Sequence, residues 1–137
     1  MNTATPYLLY EDVETALSFL TRAFGFEETL RYNDPAGYVS HAEMRLGGAV
    51  IMMGDPGPDY RGPGRRGGAT VQIYVQVDDV DSLCRRAREA GAIITAEPED
   101  HTYGDRSFSA RDPEGHAWTF GQTIRDVAPA EWGAVAT

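Results

Sequence analysis

A strand–helix unit occurs twice in this chain, at an offset of 67 residues where it starts and 66 where it ends. The apolar run Tyr7-Leu8-Leu9-Tyr10 leads into Asp12-Val13-Glu14-Thr15-Ala16-Leu17. Val71-Gln72-Ile73-Tyr74-Val75-Gln76-Val77 leads into Asp79-Val80-Asp81-Ser82-Leu83-Cys84. Both helical stretches stop at a glycine followed by an apolar residue, Phe24-Gly25-Phe26 and Ala90-Gly91-Ala92. Such a repeat restricts the fold to two like modules with a concave site between them.

The first helix is predicted over Val13–Phe24, because Val13, Ala16, Leu17, Leu20 and Phe24 recur at helical spacing. Asp12 can cap it by accepting from free N–H groups of the first turn. Gly25 can end it, since glycine tolerates positive φ. The second helix repeats this logic with Asp79 as cap, Val80, Leu83, Cys84 and Ala87 as stripe, and Gly91 as stop. Three strands follow each helix: residues 27–32, 38–46 and 49–53, then 93–98, 106–111 and 116–120. Asn33-Asp34-Pro35-Ala36-Gly37, Gly47-Gly48 and Asp112-Pro113-Glu114-Gly115 supply turns. The expected organisation is one α+β domain: module 1 at about 5–54, a linker at 55–68, module 2 at about 69–122, and a weakly patterned tail at 123–137.

Alternation along residues 70–77 separates two faces. Val71, Ile73, Val75 and Val77 suit the helix side. Thr70, Gln72, Tyr74 and Gln76 suit an open, wet face that offers hydrogen bonds.

Bulk properties narrow the function. The 137 residues suffice for one real core, and 42% hydrophobic with 24% charged content is ordinary for a globular protein. The net charge of −9 disfavours nucleic acid and anionic membrane as partners and favours cationic ones. No apolar run approaches the roughly 20 residues that span a bilayer. The start of the chain lacks a signal-peptide pattern. One cysteine, Cys84, fits a small buried side chain in a reducing cytoplasm. The cluster Arg61-Gly62-Pro63-Gly64-Arg65-Arg66 reads as a solvated linker.

On Asp12 to Phe26, Val75 to Gly91, and Tyr103-Gly104-Asp105-Arg106 through Asp112-Pro113-Glu114-Gly115-His116-Ala117-Trp118, the chain resembles the vicinal oxygen chelate superfamily. That superfamily includes glyoxalase I, extradiol dioxygenases, fosfomycin-resistance enzymes and bleomycin-binding proteins. The resemblance implies two βαβββ modules forming a curved mixed sheet around a cup-shaped cavity, and a homodimer. Metal-dependent members hold a divalent ion with four inward His, Gln or Glu side chains. The resemblance places those positions at Pro6, Met52, Gln72 and Thr119. Only Gln72 could ligate, and one amide cannot displace the waters of a borderline ion. No metal and no other cofactor is therefore expected. His41-Ala42-Glu43 offers a weak alternative donor pair. His101 reads as solvated, and His116 as bonding backbone in its turn. Ser107 and Ser109 lack an evident base, and Glu97, Glu99, Asp100 and Asp105 look like an exposed acidic rim.

The expected function is sequestration of a drug or metabolite, with acidic charge that suits a cationic one, in a metal-free cavity lined by Leu8, Met52, Gln72, Tyr74, Phe108 and Trp118. Trp118 alternates with Thr119 onto the helix side, where core packing suits it. A lyase, isomerase or dioxygenase of the glyoxalase type with a non-standard metal site is the alternative. A partner-binding domain without a small-molecule ligand is a third reading.

Overall fold

The computed structural model describes residues 1–137. The elements run β1 (Tyr7–Leu9), α1 (Val13–Phe24), β2 (Glu27–Asn33), β3 (Val39–Leu46), β4 (Ala49–Gly54), β5 (Gln72–Gln76), α2 (Val80–Glu89), β6 (Ile93–Asp100), β7 (Asp105–Arg111) and β8 (Ala117–Thr123). Single 3₁₀ turns lie at Pro63–Arg65 and Pro129–Trp132. The strands form two four-stranded mixed sheets, ordered β1-β4-β3-β2 and β5-β8-β7-β6. In each, the first strand of the module lies parallel to the fourth. The repeat in the sequence is thus a repeat in topology.

Both helices start on the aspartates that the sequence singles out. Asp12 accepts from the Thr15 backbone N–H at 3.0 Å, and Asp79 from that of Ser82 at 3.0 Å. Gly25 closes α1 at φ 82°, in the left-handed region. Ala90 closes α2, and Gly91 turns the chain one residue later.

The modules share one core. From α1, Val13, Ala16, Leu17, Leu20, Ala23 and Phe24 are buried; from α2, Val80, Cys84 and Ala87. The Phe24 ring lies 5.4 Å from that of Trp118 and 4.7 Å from that of Phe120, so a module 1 helix packs onto a module 2 strand. Aromatic contacts of this size are each worth about 0.5–1.5 kcal/mol beyond the area they bury.

The turn Asp112-Pro113-Glu114-Gly115-His116 clamps the same junction. Asp112 is buried and accepts from Tyr10 Oη at 2.6 Å and Trp118 Nε1 at 3.2 Å. Glu114 accepts from the backbone N–H groups of Glu11 and Asp12. His116 Nε2 meets the Leu9 carbonyl at 2.8 Å, so it does bond backbone, but in the other module rather than in its own turn.

The linker differs from its expected solvated form. The Gly64 N–H donates to the Glu114 carbonyl, Gly62 N–H donates to the Glu11 carboxylate, and Arg65 pairs with Glu11 at 2.8 Å. Its glycines bring backbone close enough to bond to the turn, which local composition does not reveal. The tail also docks: the backbone N–H groups of Ile124 and Arg125 donate to the Gly104 carbonyl, and Trp132 packs on Tyr103.

Candidate functional site: a cleft between two unpaired strand edges

β1 and β5 are both edge strands, and one cleft of about 980 Å³ runs between them. Thr5, Tyr7 and Leu9 line one wall, Gln72 and Tyr74 the other. Tyr60, Pro63 and Arg66 of the linker, with His116, also border it. The docked linker is thus part of the site, a role its Gly/Pro composition concealed.

Hydrogen-bond phase fixes which backbone groups face the cleft. In a parallel ladder, alternate residues bond to the neighbouring strand and the others point away. The Pro6 carbonyl accepts from Met52 N–H, and Tyr10 N–H donates to the Gly54 carbonyl. Tyr7 and Leu9 therefore turn their peptide groups away from β4. Val77 N–H donates to the Gly121 carbonyl in the same phase. Gln72, Tyr74 and Gln76 consequently turn theirs away from β8. The Leu9 carbonyl is taken by His116 and by Tyr60 Oη.

The side chains follow the same duplication. Tyr7 and Tyr74 stand on the sheet faces turned from the helices, and each lies across a glycine of the fourth strand, Gly54 or Gly121. A Cβ at either glycine would collide with the phenol oxygen. Tyr7 Oη thereby reaches His41 Nδ1 at 2.8 Å, and Tyr74 donates to Asp105 Oδ2 at 2.5 Å. Burial, and then the bond to Asp105, push the Tyr74 phenol well above its ordinary value, so it stays protonated. Gln72 Oε1 accepts from the Thr119 hydroxyl at 2.8 Å, which leaves the Gln72 amide N–H groups as donors.

The residues expected to line one cavity are not all brought together. Gln72 and Tyr74 sit at the cleft on the open face, as alternation implies. Leu8 borders the cleft but is 6% exposed and belongs to the core. Met52 lies half-buried on the open face of the first sheet, beside Tyr7 in register. Phe108 and Trp118 are fully buried in the core and do not line the cleft. Phe108 pairs with Phe120 and alternates with Ser107 and Ser109, which places it on the helix side. Val71 falls outside β5 and is exposed, so only Ile73, Val75 and Val77 of the expected aliphatic face pack on the core.

Other polar groups also depart from expectation. His101 is half-buried, stacked on Tyr103, and its Nε2 lies 2.7 Å from Ser107 Oγ. Asp105 accepts from Tyr74 and Thr123 and so belongs to an internal network rather than a solvated rim. His101 meets Ser107 across the turn between β6 and β7, whereas the register of distant strands creates the Asp105 pairs, which no local spacing announces.

A profile of the Glyoxalase/Bleomycin resistance protein/Dioxygenase superfamily matches residues 3–120. The chain belongs to this superfamily. Its relatives include the protein Mb0911c of Mycobacterium bovis, 37% identical over an alignment of 128 residues that covers 90% of this chain and 84% of that one. The crystal structure of TioX from Micromonospora sp. ML1 superposes with a TM-score of 0.72 at 31% identity, covering 90% of this chain and all of that one. The structure of TnmS3, an antibiotic binding protein from Streptomyces sp. CB03234, superposes with a TM-score of 0.66 at 20% identity over 89% and 97%. That last likeness is one of fold.

The superfamily's metal does not fit the residues present. The 67-residue offset that relates Tyr7 to Tyr74 relates Thr5 to Gln72 and Met52 to Thr119. Thr5, rather than Pro6, is therefore the module 1 counterpart of Gln72; the Pro6 carbonyl is tied into the sheet. Thr5, Met52, Gln72 and Thr119 offer two hydroxyls, a thioether and an amide. None is an anionic or imidazole donor, and the Gln72 carbonyl already accepts from Thr119. No buried side-chain polar atom is left without a partner that an ion would satisfy.

Proposed function

We propose that the chain is a small-molecule-binding member of the superfamily, and that its ligand is a drug-like or metabolite-sized molecule held between β1 and β5. The cleft carries this reading. Its volume falls at the upper end of the roughly 300–1,000 Å³ typical of ligand sites. Its walls are mostly apolar, with a few directed polar groups: the Gln72 amide and the free peptide groups of both edges. TnmS3 supports it in one respect, since an antibiotic-binding protein is built on this fold.

The only formally charged side chain that lines the cleft is Arg66, whose guanidinium stands 5.9 Å over the Tyr60 ring. No carboxylate lines it. The ligand is accordingly neutral or carries an acceptor group at the Arg66 end, and the acidic net charge gives no reason to expect a cation there.

The test is a thermal-shift panel of antibiotics and metabolites. Binding to the native state raises the melting temperature with ligand concentration. At least one compound is expected to do so, with a weaker shift in Gln72→Ala. A broad panel without any shift would favour a partner-binding domain instead.

The protein acts as a C2 homodimer in the cytoplasm in this reading. The single cysteine suits a reducing compartment. Sedimentation at micromolar concentration is expected to give twice the chain mass; a monomer there contradicts the dimer.

A further inference from the structure

The two tyrosines of the cleft are equivalent in the repeat but end on different partners. Tyr7 reaches His41 Nδ1 at 2.8 Å, and His41 Nε2 lies 3.0 Å from Glu43 Oε2. An ionised carboxylate can only accept, so the imidazole proton sits on Nε2. In the neutral imidazole Nδ1 is then the lone-pair nitrogen, and Tyr7 donates to it. The chain is polarised in one direction: phenol to imidazole, imidazole to carboxylate. It has the three parts of an activated nucleophile, namely an attacking oxygen, a base within hydrogen-bond reach and a group that orients the base. His41 and Glu43 are half-buried, and Tyr7 is 50% exposed and lines the cleft. The Tyr7 ring is half exposed while its supports are held on the open face of the first sheet.

Tyr74 shows what the arrangement would be without a base. Its phenol donates directly to Asp105, which also accepts from Thr123. A carboxylate is a far weaker base than an imidazole and cannot take a phenol proton. Gly54 is what makes the Tyr7 arrangement possible, since it lets the ring cross β4 to reach a side chain on β3.

We propose that Tyr7, His41 and Glu43 form a nucleophilic relay through which Tyr7 accepts the acyl group of an activated ester that reaches the open face of the first sheet. Tyr7 Oη attacks the carbonyl carbon as His41 Nδ1 takes the phenol proton. The ester C–O bond breaks, and the alcohol portion leaves as its anion with the bonding electron pair. The product is an acyl ester of Tyr7 beside an imidazolium held by Glu43, which returns its proton to the leaving group or to water. Tyr7 is the catalytic residue and His41 its base; Glu43 is a positioning residue. The proposal goes beyond ligand binding and does not depend on which ligand the cleft selects.

The experiment uses the full chain with p-nitrophenyl acetate. Absorbance follows p-nitrophenolate release, and peptide mass spectrometry locates the acetyl group. Acetylation of Tyr7 is expected at least about 10-fold faster than that of Tyr74 in the same sample, a comparison that needs no variant. His41→Gln is expected to slow Tyr7 acetylation by about 100-fold, the scale of a lost general base. Glu43→Gln keeps an acceptor for the imidazole N–H and is expected to retain more of the rate than Glu43→Ala. Equal rates at Tyr7 and Tyr74 would overturn the proposal, as would an unchanged rate in folded His41→Gln. Equal rates in the two Glu43 variants would overturn the relay as a three-membered unit. None of these outcomes bears on the thermal-shift panel, so this proposal and the binding reading can fail separately.

Discussion

Asp112 accepts four hydrogen bonds from a position 3% exposed: Tyr10 Oη, Trp118 Nε1, and the backbone N–H groups of Glu114 and His116. Tyr10 is the member that comes from the other module. Tyr10→Phe removes one partner from a buried carboxylate, and a cost of about 1–3 kcal/mol is expected. Urea unfolding checks it as a lower midpoint with unchanged slope. Burial, and then the charge of Asp112, hold the Tyr10 phenol well above its ordinary value. The folded chain thus keeps a proton that the unfolded chain loses near pH 10. Stability from this group is fully present below about pH 10 and is lost as pH rises beyond it. Tyr10→Phe is expected to flatten that alkaline loss, and an unchanged profile would remove Tyr10 as its source.

At the scale of elements, β5 carries two functions on two faces. Val75 is buried and Ile73 packs against the core, whereas Gln72 and Tyr74 face the cleft. Ile73→Ala is expected to cost about 2 kcal/mol, the low end for a core truncation, because Ile73 is only partly buried. Gln72→Ala is expected to leave unfolding nearly unchanged while weakening a ligand found in the panel. Equal destabilisation by the two changes, with affinity intact, would mean the faces are misassigned. These faces were legible in the sequence because strand alternation is local. So were the helices, whose caps lie three residues from the N–H groups they satisfy. The relay was not. Tyr7 and His41 are 34 residues apart, and only the β1-β4-β3 order and the bare backbone at Gly54 bring them together. Phe108 is expected in the cavity, yet its register against Phe120 turns it to the core.

Across the whole molecule, one arrangement serves both stability and the site. The Phe24–Trp118–Phe120 packing and the Asp112 clamp hold the modules together on the helix side. The first strands of the two sheets are left unpaired along the cleft. A repeat that closed its sheets edge to edge would have no cleft. The resemblance to the superfamily was readable over most of the chain because the Asp-Pro-Glu-Gly-His turn is a short motif with a fixed structural task. The docking of the linker was not readable, since its bonds reach Glu11 and Glu114 far along the chain.

The location of the ligand site is tested most directly by hydrogen exchange on the protein with and without a compound that raises its melting temperature. The amides of Tyr7, Leu9, Gln72 and Tyr74 point into the cleft with no strand to pair them, so they are expected to exchange quickly in the free protein. Bound compound is expected to slow these amides selectively, leaving the outer strands β2 and β6 unchanged. Protection confined to β2 and β6, or none at Tyr7 and Tyr74, would contradict a site between β1 and β5.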